Sequence, residues 1–135
     1  MNILVIDAQG GGIGRQLIAG IKSALPNAVI TAVGASSAAT AAMAKARPDH
    51  LATGENAILV GCRRADLITG PIGIVIADSL FGEITPAMAL AVAQSSAKRV
   101  LVPFNGCDNI IAGVGDYSTA QLIQSAVSEI CRSAE

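Results

Sequence analysis

The sequence predicts an α/β fold: a mostly parallel sheet of about five strands, ordered 3-2-1-4-5, with helices on both faces. Three observations carry that expectation. Short apolar runs alternate with helically spaced apolar stripes along the whole chain. The first run, Asn2-Ile-Leu-Val-Ile6, is uniformly apolar after its first residue, as suits a central strand buried on both faces. Glycines from Gly10 to Gly14 then crowd the place where a strand-to-helix turn would fall.

Each element has its own signal. Ile13, Leu17, Ile18, Ile21 and Leu25 recur at helical spacing, and Pro26 closes the first helix. Ala28 to Val33 reads as the second strand. After Gly34 comes an Ala-rich helix from about Ser37 to Ala46, whose small side chains let it lie close against the sheet. His50 to Thr53 is a short third strand, and Ile58, Leu59, Cys62 and Ala65 predict a helix over Glu55 to Ala65. Leu67 to Thr69 is the fourth strand. Ile72 to Leu80 carries both strand and helix signals and reads as a short helix or loop. Thr85 offers an N-cap with Pro86 at the first helical position, opening a helix to about Ala97. Val100 to Phe104 is the fifth strand. Ser118 and Gln121 form a capping box ahead of the last helix, along which Leu122, Ile123, Ala126, Val127 and Ile130 make an apolar stripe.

No linker, repeat or low-complexity tail interrupts this pattern, so residues 1–135 read as a single Rossmann-like domain, a three-layer sandwich. Right-handed crossovers then put a crevice at the carboxyl end of the first strand, where the strand order reverses.

Composition narrows the function classes. Area scaling for a chain of 135 residues gives a folded surface of roughly 6,500 Å², so about two-thirds of the chain's surface is buried without a disulfide or metal staple. Hydrophobic residues make up 52% and charged residues 14%, which excludes a disordered tail. A net charge of −1 argues against a nucleic-acid partner or a membrane surface held by bulk electrostatics. Aromatics at 2%, with no Trp, argue against base-stacking platforms. The longest uncharged stretch, Ser23 to Ala44, is broken by Pro26 and Asn27 and is no membrane span. Cys62, Cys107 and Cys131 lack CxxC spacing, and His50 is the one histidine, so no metal site is expected. Asp7 inside the first apolar run speaks against a signal peptide, and the expected compartment is the cytoplasm.

The glycine run is the strongest functional signal. Gly10, Gly11, Gly12, Ile13 and Gly14 lie between the first strand and the first helix, at the crevice. Glycines let a ligand approach the backbone, and a helix start offers unpaired N–H donors and a positive dipole end. Thr69-Gly-Pro-Ile-Gly73 follows the fourth strand and borders the same crevice, which adds Gly70 and Pro71 to the candidate ligand-facing set. Ser36, after the second strand, could donate to a phosphate or ribose oxygen, or cap the following helix.

The cofactor is less legible. NAD(P) or another nucleotide is the expectation, but the G-x-G-x-x-G fingerprint fails in both registers, with Arg15 or Gln9 at a glycine position. Gly12-Ile-Gly14 resembles the second part of the short-chain dehydrogenase glycine motif. Ala8 replaces that motif's first glycine, and no Tyr-x-x-x-Lys pair follows, since Tyr117 has Gln121 four residues on. Gly11-Gly-Ile-Gly14 also resembles a deviant Walker motif of partitioning-type ATPases. Gly10 and Arg15 stand for its two lysines, and Gln16 for its Ser or Thr, which argues against nucleotide hydrolysis. Where NAD-binding domains place a ribose carboxylate, this chain has Val33-Gly-Ala-Ser-Ser37.

Other polar residues fall after strand ends. Asp7 stands at the start of the glycine turn, where a carboxylate would repel a phosphate, so it is expected to face away and stabilise the turn, to bond a hydroxyl or to hold a cation. Asp78, Ser79, Glu83 and Thr85, and later Asn105, Cys107, Asp108 and Asn109, are further candidates for acid/base work or polar recognition, although these types are also ordinary loop formers.

Val5-Ile-Asp-Ala-Gln-Gly-Gly-Gly-Ile-Gly-Arg-Gln16, Ala52-Thr-Gly-Glu-Asn-Ala57 and Gly70-Pro-Ile-Gly-Ile-Val-Ile-Ala-Asp-Ser79 together resemble a small uncharacterised bacterial Rossmann-like family, a domain of unknown function. The resemblance implies the fold and brings no activity, cofactor or catalytic residue.

Two functional expectations follow. One is a protein that binds a nucleotide or other small phosphate-bearing ligand at the Gly10–Gly14 loop. The other is a non-catalytic scaffold or regulatory domain whose glycine loop is only a turn. With no substrate domain in the chain, binding or sensing is favoured over self-contained catalysis. A low charged fraction also predicts self-association as a homodimer, through the last helix or through Ile72 to Phe81.

Overall fold

A computed structural model of the chain describes residues 1–104 and 109–135. Its elements run β1 (Asn2–Asp7), α1 (Gly12–Ala24), β2 (Val29–Gly34), α2 (Ser37–Ala44), β3 (His50–Thr53), α3 (Glu55–Arg64) and β4 (Leu67–Pro71). A single 3-10 turn, Ile72–Val75, precedes α4 (Pro86–Gln94), β5 (Lys98–Val102) and α5 (Thr119–Ser133). The strands form one parallel sheet in the order β3-β2-β1-β4-β5, as expected.

The pleat of β1 divides the core. Ile3 and Val5 point to one face, where Leu17, Ile18 and Ile21 of α1, Met43 of α2 and Ile123, Ala126 and Ile130 of α5 cover them. Leu4 and Ile6 point to the other, under Ile58 and Cys62 of α3 and Met88, Ala89 and Val92 of α4. Burial on both faces explains the uninterrupted apolar run of β1. The folded surface of 6825 Å² agrees with the area expected for a compact chain of this length.

Several boundaries differ from expectation: β4 runs on through Gly70 to Pro71, because both still pair with β5, and β5 ends at Val102 rather than Phe104. Three further shifts have local reasons. The Ala-rich helix ends at Ala44, before Arg47 takes a left-handed φ of 57°. α4 stops at Gln94 because the Ser95 Oγ turns the chain, accepting from the Ala97 N–H at 3.1 Å and donating to the Cys62 carbonyl at 2.7 Å. β5 begins at Lys98, earlier than expected, because it is an edge strand whose first two residues are exposed and polar.

β1 and β4 are neighbours, pairing Ile3 with Leu67 and Val5 with Thr69, and the connections from their carboxyl ends diverge. The first leads into α1 on one face, the second through the 3-10 turn to α4 on the other. The cleft between them is the switch point where ligands of such sheets bind.

Candidate functional site at the switch point

The turn from β1 into α1 uses its glycines for two purposes. Gly11 has φ +68°, and a Cβ there would lie 2.6 Å from the Ala39 carbonyl oxygen of α2. A Cβ on Gly14 would lie 2.5 Å from the Met43 Sδ and 2.9 Å from the Asp7 Cβ. These two glycines are packing positions that let α1 sit close to the sheet and to α2. At Gly10 and Gly12, by contrast, a Cβ would meet nothing within 4 Å. Their N–H groups have no acceptor among the described residues, whereas the Gly11 N–H bonds the Ala8 carbonyl at 3.1 Å. The open backbone of the turn is therefore Gly10 and Gly12.

Asp7 ends β1 and caps α1. Its carboxylate accepts from the Gly14 N–H at 2.7 Å and from the Ala8 N–H at 2.8 Å, so one buried side chain satisfies donors before and within the helix start. Burial pushes the Asp7 carboxyl above its ordinary 3.8. The N–H bonds of Gly14, Ala8 and Ile13 pull it back, and the Glu83 carboxylate adds to the rise. Of the roles expected for Asp7, turn stabilisation is the one observed.

The opposite wall is the segment between the 3-10 turn and α4. It is irregular in φ: Asp78 at 64°, Leu80 at 55° and Phe81 at 57° are left-handed without being glycine, and Gly82 at 79° continues the run. Each such non-glycine residue costs about 1 kcal/mol or more, which surrounding bonds must offset. They are present. The Asp78 N–H donates to the Ile84 carbonyl at 2.7 Å, the Ser79 N–H to the Ile76 carbonyl at 3.2 Å and the Glu83 N–H to the Leu80 carbonyl at 3.2 Å. The buried Ser79 hydroxyl donates to the Gly73 carbonyl.

Gln9 ties the two walls together. Its N–H donates to the Glu83 Oε1 at 2.9 Å, and its Nε2 donates to the Glu83 Oε2 and, at 3.0 Å, to the Leu80 carbonyl. Gln9 itself is left-handed, with φ 55°. Among the described residues, four of the five non-glycine residues with positive φ thus border this cleft.

The cleft has a volume of about 860 Å³, within the range of small-molecule sites. Asp7 to Ile13 with Gln16 form one side, Pro71 to Gly73 the floor, and Ile76 to Phe81 the other side. Phe104, Asn109 and Thr119 close one end. Its ionisable lining groups are Asp7 and Asp78, with no Lys, Arg or His among the described residues.

The structure brings Gly10, Gly11, Gly12, Ile13 and Pro71 together in this cleft. Gly14 is packed beneath it. Gly70 lines β1 instead, where a Cβ would overlap the Ile6 carbonyl. Ser36 caps α2, accepting from the Ala39 N–H at 3.3 Å. Asp78, Ser79 and Asn109 reach the cleft, whereas Thr85 caps α4 through the Met88 N–H at 3.1 Å. Asn105, Cys107 and Asp108 lie outside the described residues. Cys62 is buried on the sheet-facing side of α3, which pushes its thiol up to about 11 and leaves it an inert core residue.

Sequence reasoning missed the Gln9–Glu83 tie and the aromatic residues. Phe81 is 89% exposed and Phe104 42%, and both line the cleft. Tyr117 is 62% exposed, so all three aromatic residues of the chain lie outside its core. Their small number suggested that stacking was of no account. Their placement is the stronger signal.

Among the described residues no group of three or more His, Cys, Asp or Glu side chains is placed to hold a metal ion. Among the same residues no helix is long and apolar enough to cross a membrane.

The sequence profile of a family described as a domain of unknown function (DUF3842) matches residues 2–135. None of the curated proteins compared with the chain matches it. Among solved structures the chain is similar to a dodecameric FMN-dependent Ubix-like decarboxylase from Escherichia coli O157:H7. Identity is 14%, with 99% of this chain and 94% of that chain covered and a TM-score of 0.49.

Proposed function

The chain belongs to the DUF3842 family, and we propose that it binds a small phosphate-bearing ligand, a nucleotide in the first instance, at the Gly10–Gly12 turn. The observation that carries this reading is the pair of glycines whose N–H groups have no acceptor among the described residues and whose Cα atoms open onto the cleft. Two open donors two residues apart at a helix start suit a phosphoryl group. The binding is by backbone, so neither lysine nor metal is needed for it.

Asp7 and Glu83 limit what the turn accepts. They already take the N–H groups of Ala8, Gln9 and Gly14, and their charge opposes a second anion. NAD(P) therefore ranks behind a mononucleotide as the expected cofactor.

A thermal-shift panel of AMP, FMN, NAD, NADP, FAD, ATP, coenzyme A and S-adenosylmethionine tests the reading. A bound compound at one hundred times its dissociation constant adds about 2.7 kcal/mol, a rise of several degrees in melting temperature. No shift with any compound would favour the scaffold or regulatory reading instead.

Self-association belongs to the same proposal. Of the two expected faces, the α5 stripe has Ile123, Ala126 and Ile130 buried but Ala120 and Ala134 exposed, and the stretch from Ile72 to Phe81 exposes Phe81. Ile110 and Tyr117, between β5 and α5, are exposed and offer an apolar alternative. Light scattering at micromolar concentration is expected to give a homodimer, and a mass near one chain would refute it.

A further inference from the structure

We infer that the ligand carries a flat heteroaromatic ring on a single phosphoryl group, and that Phe81 and Phe104 of the cleft lining select the ring. The inference rests on the phosphate reading above for the position of the phosphoryl group, and on separate observations for the ring.

The first is the displacement of both phenylalanines from the core. The interior is filled with Ile, Leu, Val, Met and Ala, and the chain's two Phe side chains both line the same cleft. A large aromatic side chain loses hydrophobic stabilisation when left in water, and it regains it against the face of a planar ligand. Fold stability alone gives no reason to place Phe81 there.

The second is how Phe81 is presented. It sits between Leu80 and Gly82 in a run of positive φ, on a turn bonded at Asp78–Ile84, Ser79–Ile76 and Glu83–Leu80 and tied to the other wall by Gln9. Unfavourable backbone conformations held by so many bonds mark positions where shape is needed. A ring on a rigid turn keeps its orientation and loses little freedom when a ligand stacks on it.

The third is charge. Among the described lining residues the ionisable groups are acidic, with Glu83 bonded behind them, so a di- or triphosphate would find no cation. The open donors at Gly10 and Gly12 serve one phosphoryl group, and the apolar remainder of the cleft suits an uncharged ring.

Isothermal titration of the full chain with AMP, UMP, nicotinamide mononucleotide, ribose 5-phosphate, adenosine and ATP tests this. The three ring-bearing monophosphates are expected to bind about ten-fold or more tighter than ribose 5-phosphate, and ATP no tighter than AMP. Phe81→Leu and Phe104→Leu should each remove most of that advantage while leaving the affinity for ribose 5-phosphate unchanged. Both side chains are exposed, so the variants should melt like the wild type. Phe81→Trp, in a chain with no Trp, should keep the preference and show fluorescence quenching on titration with AMP.

Equal affinity for ribose 5-phosphate and the mononucleotides would overturn the inference and leave the phosphate reading standing. Adenosine binding as tightly as AMP would support ring selection and sink the phosphate reading. If none of the probes binds, both fall. Phe variants that change the mass in solution but not the ligand preference would assign these side chains to an interface and overturn the inference.

Discussion

Across the cleft, the turn from β1 into α1 and the turn ahead of α4 reach fixed shapes by opposite means. The first spends glycine wherever the backbone must bend or touch a neighbour, with Gly11 left-handed against Ala39 and Gly14 pressed on Met43. The second places Asp78, Leu80 and Phe81 in left-handed conformations and holds them by hydrogen bonds within the turn and to Gln9. The first leaves backbone donors exposed, and the second leaves a large side chain exposed. A small ligand that met both would have its polar end on one wall and its apolar end on the other.

The largest effect should come from breaking the packing half of the glycine turn. Gly11→Val puts a branched side chain at φ +68° and into the Ala39 carbonyl, and should cost about 3 kcal/mol or more of stability in urea unfolding. Gly12→Val meets open space and should change stability by less than about 1 kcal/mol. Equal destabilisation by the two would erase the division between packing and open glycines.

Next is Asp7→Asn, which keeps one acceptor oxygen but faces the second N–H with an amide. A loss of about 1–2 kcal/mol is expected at neutral pH. The pH dependence carries a definite sign. The folded carboxyl titrates above its unfolded value of 3.8, so the native state binds the proton more tightly and wild-type stability falls as pH rises through that window. The variant lacks this titration. Its deficit against wild type should therefore be widest below the window and narrow as pH rises, and a deficit that widens instead would mean the carboxyl is depressed.

The smallest effect concerns the tie itself. Gln9→Ala removes the side-chain bonds to Glu83 and Leu80 but leaves the backbone bond to Glu83, and should cost about 1 kcal/mol. Hydrogen exchange of the Asp78 to Glu83 amides should then quicken while the α1 amides stay protected. Uniform quickening would show that the walls do not act separately.

The same contrast explains what the sequence makes legible. β1 is readable because burial on both faces forces an unbroken apolar run, and α5 because Ser118 and Gln121 make a reciprocal cap, with bonds of 3.2 and 2.8 Å. The parallel sheet follows from the alternation of strands and helices, and 3-2-1-4-5 is one of the two common orders such a sheet takes. In the glycine turn, Gly10, Gly11, Gly12 and Gly14 look alike in sequence, yet only tertiary neighbours separate Gly11 and Gly14 from Gly10 and Gly12. Ser36 and Gly70 look like cleft residues in sequence but are not among its lining, since Ser36 caps α2 and Gly70 lies against the Ile6 carbonyl of β1. The turn from Asp78 to Gly82 is opaque because Leu80 and Phe81, at its centre, are not the types that announce a left-handed conformation. Edge strand β5 hides behind Lys98 and Arg99, whose polarity reflects the sheet's border.

The central claim is that a ligand sits on the open backbone of Gly10 and Gly12. Titration of wild type and Gly12→Val with AMP, each checked for folding by its melting curve, addresses it most directly. The account predicts that Gly12→Val melts with the wild type and binds AMP at least ten-fold more weakly, because its side chain fills the space beside the free N–H groups. A folded Gly12→Val protein that binds AMP as tightly as wild type would contradict it.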